Sequence, residues 1–258
     1  MKLYFRYFSI HLRSTMQYKV SFFLTLAGQF LTSFSSLLGI WFLFDRFHSV
    51  DGFRFEEVLI CFSTVLMGFS LAEWFFRGFD AFKGVISNGE FDRIMVRPRN
   101  VLFQVMGARI DFTRLGRTLQ AVLVLIYAIF ASGIDWAPDQ VFTLIFMIVG
   151  TFFLYCGLFL INASICFFTI EGLEFMNIFT DGSREFSSYP LSIYGMHMLR
   201  FFTYVLPVAC VQYYPLLYLL GKSSNVFYMF LPAAGILFLL PSYALWRVGV
   251  RHYKSTGS

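Results

Sequence analysis

The run VFTLIFMIVGTFFLYCGLFLINASICFF, from Val141 to Phe168, contains no charged side chain. A helix of roughly 20 mostly apolar residues crosses the hydrocarbon core of a bilayer, so this run can span one and still tilt or extend past its interface. Similar runs lie at residues 20–44, 57–79, 116–134, 199–220 and 226–247. Read together they predict an all-α polytopic membrane protein of six transmembrane helices, with residues 1–258 forming a single transmembrane domain. Composition agrees: the chain is 58% hydrophobic and 14% charged, whereas charged residues make up about a quarter of a soluble protein. No polar stretch is long enough to close a separate soluble core. The 36 Phe and 14 Tyr outnumber what two interfacial belts hold, so many are expected between helices or against lipid.

An even number of spans puts both termini on one side of the membrane. With the N-terminus inside, the inner segments hold Lys2, Arg6, Arg13, Lys19, Arg77, Lys83, Arg93, Arg97, Arg99, Arg109, Arg114, Arg117, Arg184, Arg200, Arg247, Arg251 and Lys254. The outer loops hold only Arg46, Arg54 and Lys222. This asymmetry is the positive-inside pattern and predicts cytoplasmic termini. The net charge of +5 is spread in short clusters between apolar runs instead of forming one basic face, which speaks against a nucleic-acid partner. The start has no short apolar core followed by a small-residue cleavage site, so no removable signal peptide is expected. In residues 1–19, Lys2, Arg6, Ser9, Arg13 and Gln17 recur at helical spacing opposite Met1, Phe5, Phe8, Leu12 and Met16. That is the pattern of an interfacial amphipathic helix, although a basic flank orienting the first span would look similar.

Inside the predicted spans, Gly150, Gly157 and Ser164 line one face of the fourth and permit close backbone approach, at a subunit interface or within the chain. Pro207 in the fifth span and Pro232 and Pro241 in the sixth remove backbone donors and should kink or break those helices. Glu73 is the sole ionisable residue well inside a span, and Arg77 one turn on is its expected partner. An ion-coupled carrier ordinarily needs more intramembrane charge. His11, His48, His197 and His252 are scattered, and Cys61, Cys156, Cys166 and Cys210 lie in apolar runs without C-x-x-C spacing; neither set points to a metal site or catalytic constellation. His197 could approach Glu171, Glu174 or Asp181, but a solvated interfacial histidine is the simpler reading. Gly221-Lys222-Ser223 ends like a phosphate-binding loop, yet Leu216 stands where that loop needs a glycine, and no strand precedes it.

The loop at residues 80–100, between spans two and three, is the most informative stretch. Asn88-Gly89 permits a tight turn, Glu90 to Val96 can form a short helix with acidic residues near its positive end, and Pro98 stops it. Such a rigid, charged, partly apolar knob suits contact with another protein, although an ordinary basic loop that sets topology has much the same composition. Gly89-Glu-Phe-Asp92-Arg-Ile-Met-Val-Arg97-Pro98 resembles the G-x-(L/F)-D-x-x-L-x-R-P motif of ABC type-2 family permeases. The ending, Trp246-Arg-Val-Gly249-Val-Arg-His-Tyr253-Lys-Ser255-Thr-Gly257, is similar to the W-x-x-G-x-x-x-Y-x-S-x-G terminus of the same group, and Tyr189-Pro190 and Leu206-Pro207 through Tyr214-Pro215 also resemble its second half. The resemblance implies the permease subunit of a bacterial ABC exporter in the cytoplasmic (inner) membrane. It implies cytosolic ABC ATPase subunits and a like or sister permease as partners, with ATP and Mg on the ATPase and no cofactor on this chain. The loop would be the coupling helix: Phe91, Ile94 and Met95 would insert into the ATPase, while Glu90, Asp92, Arg93 and Arg97 supply polar pairs around them. A channel, an ion-coupled carrier, a membrane-embedded enzyme and a structural scaffold are the competing readings.

The charge asymmetry makes a direct prediction. A cysteine placed at Ser49 or Asp139 should react with a membrane-impermeant reagent added outside intact cells, and one at Asn88 or Ser255 should not. Labelling at Asn88 would contradict the six-span topology.

Overall fold

The computed structural model describes residues 2–169 and 174–255, with side chains from Tyr7 onward. Of the residues named above, Glu171 and Gly257, and the side chains of Met1, Lys2, Phe5 and Arg6, lie outside the described residues. Among the described residues the chain is helical apart from turns and one isolated bridge between Val50 and Phe53. Helix α1 (Lys2–Gln17) leads into α2 (Lys19–Phe47), α3 (Phe55–Asp80), the short α4 (Phe82–Ser87), α5 (Glu90–Met95) and α6 (Val101–Ala108). Then come α7 (Leu115–Ala131), α8 (Pro138–Ile165), the broken series α9 (Glu174–Asn177) and α10 (Ser183–Ser187), and α11 (Met196–Tyr204), α12 (Val208–Val211), α13 (Tyr213–Leu219) and α14 (Ala233–His252).

Among the described residues, five helical segments are long and apolar enough to cross a membrane: α2, α3 with its continuation to Ser87, Phe112–Ala131, α8 and α14. They match five of the six runs to within a few residues, except that the last helix starts later and runs on to His252; Val226–Phe230 forms a 3-10 turn before it. The fifth run differs. Residues 199–220 contain α11 and the α12–α13 pair, bent by 85° where Pro207 interrupts the backbone ladder. Nevertheless α8 ends where α14 ends, Gly249 lying against the Ser164 carbonyl, and the turn that leads into α14 lies near the start of α8, the Phe230 ring 6.3 Å from Phe142. The chain must therefore pass from one end of the bundle to the other between them.

That passage begins with α9, a π-helical turn at Ile178–Gly182 and α10. Arg184 lies over the Phe69 ring at 5.1 Å, and Cys61, two turns nearer the start of α3, donates to the Ser187 carbonyl at 3.2 Å. Hence 183–187 runs antiparallel to α3 through its middle. Arg184, expected in a loop, is instead inside the bundle. Arg200 moves too: α11 packs through Phe202 on Phe186 and bonds through Thr203 to the Tyr214 hydroxyl at 3.2 Å, toward the end away from α5. The end carrying Arg93, Arg97, Arg99, Arg247 and Arg251 is the basic end below.

Close helix contact holds the bundle together. A Cβ on Gly235 would lie 2.1 Å from the Gly150 carbonyl oxygen, and one on Gly157 2.8 Å from the Phe238 ring. The stripe of Gly150, Gly157 and Ser164 thus seats α14 on α8 inside one chain. At the end opposite the basic one, Arg54 donates to the Ser132 carbonyl (3.0 Å), Lys222 to the Gly52 carbonyl (2.8 Å) and Tyr218 to Asp139 (2.8 Å), which ties the loops together. Helix α1 turns Phe8, Leu12 and Met16 onto Phe22, Ile110 and Phe112, while Ser9, Arg13 and Gln17 face outward.

Candidate functional site

The loop between α3 and α7 is built as a bracket. Gly89 takes the left-handed conformation (φ 67°) that a tight reversal requires, so α5 folds back after α4. Helix α5 has only six residues and could not persist alone in water; side-chain contacts on its inner face hold it. Phe91 is 0% exposed. Its ring lies 5.4 Å from Phe82, 5.1 Å from Phe167 and 4.8 Å from Tyr253, all edge-on. Trp246 closes the same cluster against Phe79, Phe82 and Phe167.

Polar bonds fix the rest of the loop. Ser255 donates to the Asp92 carboxylate at 2.6 Å, and the Gln104 amide donates to the carbonyls of Ile94 and Arg99 at 3.1 Å each. The Asn100 side chain caps α6 by accepting from the Leu102 amide at 2.9 Å. Residues 89–98 and 246–255, which lie in two of the stretches that carry the family resemblance, therefore meet in space.

This geometry corrects one expectation. Phe91 was expected to insert into a partner, but it faces inward and anchors the loop to its own chain. Ile94 is half-buried, whereas Glu90, Arg93, Met95, Arg97 and Pro98 are exposed. The most exposed apolar side chain of the loop is Val96, at 84%, which the motif comparison did not single out. Its neighbour Met95 and the flanking arginines Arg93, Arg97 and Arg99 complete an outward surface, apolar at its centre and cationic around it.

Behind the loop lies a buried ionic cluster. Glu73 was expected to pair with Arg77, and that contact is the longest of three at 3.8 Å. Arg117 reaches the Glu73 carboxylate at 2.8 Å and Arg114 at 3.2 Å. Arg114 also bonds Asp111 at 3.1 Å and the Gln29 side-chain oxygen at 3.1 Å, and Arg77 pairs with Asp80. At Asp111, outside the spans, burial pushes the carboxyl up, but hydrogen bonds from Thr113 and the charge of Arg114 outweigh it and hold it below the usual carboxylate range. The cluster joins α2, α3 and α7, and Asp181 on the π-helical turn lies within electrostatic reach of Glu73 and Arg117. Buried charge persists only where it is paired and hydrogen-bonded. Sequence spacing along one helix could not reveal Arg114 and Arg117, which come from another element. His197 is exposed on α11.

A family model described as ABC-2 family transporter protein matches residues 30–257. Neither the curated proteins nor the solved structures return a match.

The inward and outward faces of α5 predict opposite responses to truncation. Phe91→Ala should cost about 3–5 kcal/mol, as for a buried aromatic ring, and Val96→Ala should stay within about 0.5 kcal/mol. Thermal unfolding of the detergent-purified chain measures both, and equal losses would contradict the assignment of faces.

Proposed function

Because the chain belongs to the ABC-2 family of transporter proteins, whose model covers residues 30–257, we propose that it is the permease subunit of an ATP-driven exporter. In this reading it sits in a bacterial cytoplasmic membrane with both termini in the cytoplasm. It pairs with a like or sister permease and with cytosolic ABC ATPases that carry the ATP and Mg. The basic end is then the cytoplasmic end, in keeping with the positive-inside rule, and α1 lies along the cytoplasmic interface with its polar side outward.

The observation that carries the reading is the division of labour in α5. A docking element must present a surface to its partner and be joined stiffly to what it moves. Met95 and Val96 supply exposed apolar contact, with Arg93, Arg97 and Arg99 around them. Phe91 and Asp92 join α5 to α4 directly after α3, to the Phe167 turn and to the chain end after α14. Closure of the ATPases on ATP would push this bracket, and the aromatic cluster would pass the displacement to α3, α8 and α14, tilting the bundle between inward-open and outward-open states. An ion-coupled carrier is less favoured, since the Glu73 carboxylate is engaged by three arginines and is not poised to take up a cation. The aromatic spans suit an amphipathic or hydrophobic substrate.

The test is co-purification with a cognate ABC ATPase through a tag on this chain. Replacing Met95 and Val96 with Asp should leave membrane insertion intact yet reduce ATPase recovery at least tenfold. Each apolar contact is worth about 1.5–3 kcal/mol, and a carboxylate forced into the interface adds a desolvation cost. Normal recovery with normal transport would mean that this loop is not the contact.

A further inference from the structure

Beside the loop, a groove of about 330 Å³ opens between the start of α6 and the last turns of α14. Three arginines line it: Arg99 from the loop, and Arg247 and Arg251 from successive turns of α14. Its other walls are chiefly apolar, with Leu102, Tyr243 and Val250, and among the described residues no carboxylate lines it. Among the described residues none of the three arginines is in an ion pair, whereas Arg54, Arg77, Arg114, Arg117 and Arg184 all are. The groove is thus a concentrated, uncompensated positive site with a greasy wall.

What lies above it on α14 narrows the ligand. Leu240, Ala244, Arg247 and Arg251 fall four, three and four residues apart, so they share one helix face. Leu237 and Leu240 on that side are 60% and 68% exposed. From Leu240 to Arg247 the helix rises about 10 Å. The face therefore presents an apolar stripe that ends, toward the basic end, in paired cations. Inorganic phosphate would satisfy the arginines and leave the stripe bare; an acidic peptide would do the same. A molecule with a phosphate at one end and an acyl chain running from it complements both parts.

We propose that this groove binds an anionic phospholipid of the leaflet at the basic end, its phosphate held by Arg99, Arg247 and Arg251 and an acyl chain laid along Leu240 and Leu237. Bound there, the lipid bridges the docking loop to α14 next to Trp246, adding a non-covalent clamp to the one made by Phe91. The inference rests on the membrane placement proposed above. The ATPase-recovery assay of the loop does not depend on it, so failure of the lipid site leaves the permease reading standing.

The experiment uses the full chain in neutral detergent and follows thermal unfolding as phosphatidylglycerol, phosphatidylcholine or inorganic phosphate is added. Phosphatidylglycerol should raise the unfolding temperature saturably, and the other two should not. In Arg247→Gln/Arg251→Gln the apparent affinity for phosphatidylglycerol should fall roughly tenfold or more, given the attraction of an anionic surface for each basic residue. The double Lys variant should retain most of the response, and Arg46→Gln at the opposite end should retain all of it. If the double Gln variant does not purify folded, Arg251→Gln alone carries the test, with a loss of severalfold expected. An equal response to phosphatidylcholine or to inorganic phosphate, or an undiminished response in the Gln variants, would overturn the assignment.

Discussion

The edge-on packing of Phe91 against Phe82, Phe167 and Tyr253 is the contact on which the functional architecture depends. A six-residue helix has too few internal hydrogen bonds to hold its own shape, and α5 hangs between two loops. What gives it a fixed orientation is one ring, fully removed from water, inserted where α3, α8 and α14 all terminate. Around that ring the Asp92–Ser255 bond and the two bonds from Gln104 set the register of the loop. Met95 and Val96 are exposed because the inner face is occupied; had Phe91 turned outward, the loop would lose its buried aromatic anchor and keep only its polar bonds. Interiors packed this densely transmit displacement with little compliance, which suits the coupling role proposed for this loop.

Deeper in the bundle, charge and close approach share the task. The cluster of Glu73, Arg114 and Arg117 fastens α7 to α3, and the Gly150–Gly235 approach fastens α14 to α8. Between these two rigid pairs runs 174–187, broken by a π-helical turn and carrying Asp181, Ser183, Arg184 and Ser187. Single π turns inside helices tend to mark functional positions, and irregular backbone at membrane depth is tolerated where it is buried in protein or lines a polar cavity. The segment is therefore the least regular and most polar element among the passes.

Much of this was legible in the amino-acid sequence. Five of the apolar runs became helices, four of them near their expected limits, because a run such as 141–168 has no charged group to interrupt it. The small residues at 150, 157 and 164 marked a close-packed face, and the neighbour proved to be α14 of the same chain. Two features were not legible, each for a physical reason. The passage at 174–187 carries Glu174, Asp181, Arg184 and Glu185, so averaging hydropathy along the chain discounts it; its polar groups are matched by residues such as Tyr155 and Phe69 far away in sequence. The direction of Phe91 was hidden because α5 is too short for its own periodicity to define a buried face, and the partners that bury it come from residues 82, 167 and 253. The same limit applied to Glu73, whose nearest cations belong to another helix.

The central claim is that α5 has an inner face committed to this chain and an outer face offered to a partner. It is tested most directly by placing a photoreactive amino acid at residue 96 or at residue 91 and illuminating cells that express the whole transporter. The account predicts a cross-link from residue 96 to a separate cytosolic ATPase, and from residue 91 only products within this chain, to peptides containing Phe167 or Tyr253. Cross-links to the ATPase from residue 91 and none from residue 96 would contradict it.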